Sequence, residues 1–121
     1  MKHLINRIEI PVENMERAIG FYSKILGVTL TEMDMARNSY ALFPAGDSHN
    51  TGALVKGKHY KPSSDGVVIY LDGGDDLNTI LLKVKSAGGN IVLEKIFLSP
   101  EAGNIGMFMD SEGNKIGLQH P

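Results

Sequence analysis

The chain has 121 residues, with 12 Lys and Arg against 14 Asp and Glu, for a formal net charge of −2. At 42% hydrophobic and 21% charged it has the composition of a globular domain. The absence of cysteine excludes disulfides, zinc fingers, iron–sulfur clusters and thiol catalysis. A nucleic-acid binder would carry a basic excess or stripe, which is missing here. No apolar run approaches the ~20 residues that span a bilayer. The opening Met1-Lys2-His3-Leu4-Ile5-Asn6-Arg7 turns polar before a signal-peptide core can form, so the expected compartment is cytoplasmic.

Residues 5–12 alternate, with Ile8, Ile10 and Val12 on one face and Arg7, Glu9 and Pro11 on the other, which predicts a strand. Asn14 can cap a helix carrying an apolar stripe of Met15, Ala18, Ile19, Tyr22, Ile25 and Leu26, and Gly27 can end it in a left-handed cap. Three short strands follow at about 28–35, 39–44 and 52–56, with a turn at Ala45-Gly46-Asp47-Ser48. The pattern then returns, shifted by 62 residues. A strand over 66–72 precedes a helix capped by Asp76, striped with Leu77, Ile80, Leu81, Val84 and Ala87, and ended by Gly89. Strands at about 91–98, 104–109 and 115–120 complete the repeat around the turn Asp110-Ser111-Glu112-Gly113-Asn114.

The fold class is therefore α+β, with two βαβββ modules over about 1–57 and 66–121, joined by a linker at 58–65 in a single domain. One half alone would bury too little surface to be secure, so the modules are expected to pair. Together they would form a cupped, partly open barrel with a helix outside each sheet.

Ile8-Glu9-Ile10-Pro11-Val12, Ala18-Ile19-Gly20-Phe21-Tyr22 and Leu26-Gly27 resemble the opening of vicinal oxygen chelate proteins. That superfamily holds glyoxalase I, bleomycin-resistance proteins and extradiol dioxygenases. Asp75-Asp76-Leu77 with Lys85-Ser86-Ala87-Gly88-Gly89 resembles the start of its second module, and Asp110 to Leu118 its closing motif. The resemblance implies a paired βαβββ fold around a U-shaped cavity. In metal-using members, His, Gln or Glu on four inner strand positions hold a divalent ion that acts as a Lewis acid.

In this sequence those four positions fall on Arg7, on Gly66 or Val67, on Gly117 and on Val55. Arginine is always protonated and the other side chains carry no donor, so the expectation is no metal and no cofactor. A Glu9–Gln119–water metal site is the alternative, set against a plain ion pair of Glu9 with Arg7 or Lys115. His3 and His120 near the ends, and His49 and His59 in expected loops, have no ligand spacing and read as solvated surface residues. Gly73-Gly74-Asp75 before the second helix reads as a cap, because two aspartates there repel an anion, and the basic run Lys56 to Lys61 reads as a solvated loop. Met33, Met35, Met107 and Met109 are expected as core or cavity wall.

The expected ligand-binding residues are Arg7, Glu9, Tyr70, Phe108, Lys115 and Gln119, with Phe108 as an aromatic wall and Val55 and Gly117 inward-facing. An apolar cup with charges of both signs suits a small organic molecule bearing a polar handle. Glu9 is the candidate general base of an alternative lyase or isomerase, with Arg7 or Lys115 stabilising an enolate oxygen. The third alternative is a metal-dependent lyase or dioxygenase with atypical ligands. The expected partners are a small-molecule ligand and a second copy in a homodimer, with neither nucleic acid nor membrane.

Overall fold

The computed structural model describes residues 4–46 and 51–121. His3, His49 and the Asp47-Ser48 part of the expected turn lie outside them. The elements run β1 (Arg7–Pro11), α1 (Met15–Leu26), β2 (Thr31–Met35), β3 (Asn38–Leu42), β4 (Thr51–Lys56), β5 (Ile69–Asp72), α2 (Asn78–Ala87), β6 (Asn90–Ser99), β7 (Gly103–Met109) and β8 (Lys115–His120). They form two four-stranded sheets of identical topology, ordered β1-β4-β3-β2 and β5-β8-β7-β6. In each, the strand before the helix lies parallel to the last strand of its module, and the other neighbours are antiparallel.

The helix signals are mostly met. Asn14 Oδ1 accepts from the Arg17 amide, and Gly27 ends α1 in the left-handed region. The second helix shifts by one residue: Leu77 occupies the N-cap position without a side-chain bond, while Asp76 Oδ1 accepts from the Asn78 amide. Its C-terminal cap is Gly88 at φ 113, not Gly89. Gly89 is used differently, for close approach: a Cβ there would strike the Met109 carbonyl and the Phe21 ring. The first strands of both modules are shorter than their apolar patterns, and β5 starts only at Ile69, after Gly66 turns the chain at φ 95.

Each helix packs on its own sheet and the two helices pack on each other. One core results, shared by both modules: Ile10, Phe21, Tyr22, Ile25 and Leu54 from the first meet Leu77, Leu81, Val84, Phe108 and Leu118 from the second. Phe21 meets Tyr22 edge-on at 5.0 Å and Phe108 at 5.8 Å. Burying such side chains is worth about 1.5–3 kcal/mol each, so neither module is complete without the other.

The modules are also joined by the turn between β7 and β8. Asp110 is buried and accepts four hydrogen bonds, from the Glu112 and Asn114 amides, the Asn114 side chain and the Tyr22 hydroxyl at 2.6 Å. Asn114 Nδ2 also donates to the Pro11 carbonyl at 2.8 Å, and its Oδ1 accepts from the Ser63 amide. The Glu112 carboxylate, its side chain fully buried, accepts from the Glu13 and Asn14 amides and pairs with Arg17 at 2.7 Å. Burial alone would raise the Glu112 pKa, but Arg17, the Asn14 amide, Ser111 and the Glu13 amide together lower it to about 2. Burial first, then the neighbouring Asp110 charge, pushes the Tyr22 phenol well above its ordinary value.

Candidate functional site

Strand alternation gives each sheet a face toward the helices and an opposite, concave face. On the first sheet the register puts Arg7, Glu9, Val55, Tyr40, Leu42, Met33 and Met35 on the concave face. On the second it puts Tyr70, Lys115, Gly117, Gln119, Ile105, Met107 and Met109 there. All four expected strand methionines are thus on concave faces, with Met33 and Met35 about two-fifths exposed.

Glu9 is the most engaged of the expected residues. Its Oε2 pairs with Arg7 Nη2 at 3.1 Å and its Oε1 accepts from the Tyr60 hydroxyl at 2.9 Å. That bond, followed by burial and the Glu9 charge, holds the Tyr60 pKa above its usual range. The Tyr60 ring packs over Tyr40, Ala53 and Val55 as a small second cluster, leaving Val55 fully buried. Tyr60 comes from the linker and has no strand periodicity, so the sequence pattern did not mark it as part of the site.

The expected residues do not share one hollow. Glu9 and Lys115 line a cavity of about 270 Å³ between β1 and the β5/β8 edge, floored by Ile10, Ile69 and Ile116 and rimmed by the linker at Lys61, Ser63 and Asp65. Tyr70 and Gln119 line a separate cavity of about 570 Å³ with Phe97, Glu101 and Ala102. Gln119 is tied there by its Nε2 bond to the Ala102 carbonyl at 2.8 Å. Arg7 lies at the exposed start of β1, bonded to Glu9.

Phe108 is not a cavity wall. It pairs with Ile116 across the β7–β8 hairpin, so it takes the helix-side face and is fully buried against Phe21. Lys115, Gly117 and Gln119 take the opposite face. His120 also departs from the surface expectation: it is buried, with Nδ1 2.8 Å from the Pro121 carbonyl. His59 is exposed.

The donor positions can now be tested in space. The concave-face residue of β5 opposite Gly117 is Tyr70, not Gly66 or Val67, which precede the strand. Its ring lies over Gly117, where even a Cβ would come within 2.5 Å of Tyr70 Cδ1. The space a carboxylate ligand at 117 would need is filled by an aromatic ring, and Val55 is fully buried in the cluster against which Tyr60 packs. Arg7 offers no lone pair. Among the described residues no three His, Asp or Glu side chains are grouped to hold an ion. The donor set does not fit the divalent metal of metal-using vicinal oxygen chelate enzymes.

The family model of the Glyoxalase/Bleomycin resistance protein/Dioxygenase superfamily matches residues 4–118. The chain therefore belongs to that superfamily. No curated protein matches it. Among solved structures, a glyoxalase/bleomycin resistance protein from Albidiferax ferrireducens T118 is similar with a TM-score of 0.75 at 14% identity, covering 98% of this chain and 99% of that one. The hypothetical protein SA1046 from S. aureus is similar at 0.71 and 21%, covering 100% and 95%. TnmS3, an antibiotic binding protein from Streptomyces sp. CB03234, is similar at 0.69 and 20%, covering 100% and 97%. These likenesses show the fold. Among the described residues no helix is long and apolar enough to cross a membrane.

Proposed function

We propose that this member of the superfamily binds a small organic molecule on its concave sheet faces without a metal, and that a second copy of the chain closes the hollow in a homodimer. The observation that carries the reading is the filling of the donor positions: a tyrosine ring lies over Gly117 and another packs against the cluster that holds Val55. Met33, Met35, Tyr70 and Ile96 leave two-fifths or more of their surface in solvent. Exposed apolar surface on that scale, with the polar side chains of Glu9, Lys115 and Gln119 on the same two faces, supports a binding face more than a bare exterior. The similarity to an antibiotic binding protein fits the same reading.

The geometry supports binding over proton abstraction. Each oxygen of the Glu9 carboxylate already accepts a bond, Oε2 from Arg7 and Oε1 from Tyr60, so neither stands free for a substrate proton. Glu9 thus anchors the linker tyrosine over the first sheet and offers negative charge to a ligand's polar end.

The test is a thermal-shift screen of aromatic metabolites and antibiotics on the purified protein, with metal analysis and sedimentation in parallel. A ligand at 100 times its Kd should add about 2.7 kcal/mol to stability. The expected outcome is a hit, with no stoichiometric metal, on a dimer. Turnover of a hit that is lost in Glu9→Gln would establish the lyase or isomerase alternative instead, and a tightly held metal would establish the third.

A further inference from the structure

A larger cavity than either of those on the concave faces lies elsewhere. It is a cleft of about 650 Å³ between the modules, where the end of α1 approaches the start of α2. Its apolar lining is Leu26, Val28, Phe43, Leu71 and Ile80. All five pack on the shared core or belong to it. The cleft opens on the helix side of β5, and its upper edge is the β5–α2 connection.

That edge is acidic. Asp72, Asp75 and Asp76 all line the cleft, and no Lys, Arg or His is among the described lining residues. Asp76 is neutralised by Lys95 at 3.1 Å. Neither Asp72 nor Asp75 has an ion-pair partner among the described residues, but Asp72 Oδ1 accepts from the Gly74 amide at 2.8 Å, and its register opposite Gln119 also places it at the cavity of Tyr70 and Gln119. The neighbouring helix start does not reverse this field, because its amides are already bonded: Asn78 to Asp76 Oδ1, Thr79 to the Asp76 carbonyl and Ile80 to the Leu77 carbonyl. The cleft joins an apolar interior to an acidic edge on which Asp75 has neither an ion-pair nor a hydrogen-bond partner among the described residues.

We infer that this inter-module cleft is a second binding site, for a small organic cation with an apolar body, such as an arylalkyl amine. The apolar body would lie between Leu26, Phe43 and Ile80, and the ammonium group would meet Asp75, with Asp72 on the same acidic edge. An anion of the same shape would face those carboxylates with no cation to offset them.

The probes are 4-phenylbutylammonium, 4-phenylbutanol and 4-phenylbutyrate, titrated separately while backbone amide NMR shifts are followed. The ammonium should bind about tenfold more tightly than the alcohol at low salt, and the advantage should shrink as salt rises. Shifts should centre on Val28, Leu71 and Thr79, with no binding of the butyrate. Asp75→Asn, which removes no hydrogen bond found among the described residues, should weaken the ammonium about threefold and leave the alcohol unchanged. Thr79→Lys should weaken the ammonium and admit the butyrate. Equal affinity for all three probes, or shifts centred on Tyr70 and Gln119, would overturn the inference. Because the second pattern marks a concave face, it would leave the reading of those faces standing.

Discussion

Replacing Asn114 by alanine should cost more than any substitution at an exposed position. Its side chain makes three hydrogen bonds, to the Pro11 carbonyl, the Asp110 carboxylate and the Ser63 amide, at 2.8, 2.9 and 3.1 Å. Those partners belong to β1, to the β7–β8 turn and to the linker, so one amide ties three segments together. A neutral buried bond is worth about 1 kcal/mol and one to a carboxylate about 2 kcal/mol, which gives about 4 kcal/mol for Asn114→Ala. That is a large part of the ~5–15 kcal/mol by which a domain is stable. At roughly 4 °C per kcal/mol the melting point should fall by about 15 °C. Urea denaturation measures the energy, and calorimetry the temperature. Gln119→Ala, which loses one bond at an exposed site, is the control and should stay within about 1 kcal/mol. An Asn114→Ala loss below about 1.5 kcal/mol would refute the argument that this side chain joins the modules.

Glu112 gives a pH signature. Its pKa is lowered from the ordinary 4.5 to about 2, so the stability it contributes is full above about pH 5 and lost as pH falls toward 2. Allowing for screening around the exposed Arg17, the loss should be about 2 kcal/mol, and Glu112→Gln should flatten that limb of the stability–pH curve. Gly117→Ala should destabilise by about 1–3 kcal/mol through the Tyr70 ring, and most of that cost should vanish in a Tyr70→Ala background. The β2–β3 hairpin turns through Ala36 and Arg37 at φ 49 and 68, so replacing the pair with Asn-Gly should raise the melting point by about 4 °C, read by thermal denaturation.

Much of the scaffold was legible because the chain states it twice. The 62-residue offset links the stripe beginning at Met15 with that beginning at Leu77, and the structure places helices there. What failed was parity. Strand β7 carries apolar side chains on both faces, Ile105 and Met107 on one and Phe108 on the other, so alternation alone could not say which face held Phe108. The hairpin register decides it: Phe108 lies opposite Ile116, and Ile116 cannot share a face with Lys115. The donor position in the second module slipped for a related reason, since Gly66 delays the strand until Ile69. Tyr60 bonds Glu9 across 51 positions of sequence, a contact that no local pattern encodes. The closing motif could be matched as a pattern, yet its work of joining modules through Asp110, Glu112 and Asn114 depends on partners far along the chain.

A ribosome delivers this core in an order that forbids early closure. The first sheet and α1 emerge complete, but Phe21 must wait for Phe108, and the remaining core waits for Ile116 and Leu118 on the last strand. Throughout synthesis of the second module the first has an oily helix flank with nothing to lie against, the condition in which nascent chains stick to one another or are held by chaperones. Slowing translation after β4 should therefore not help this protein to fold, whereas in a chain of two self-sufficient domains such a pause gives the first one time to settle.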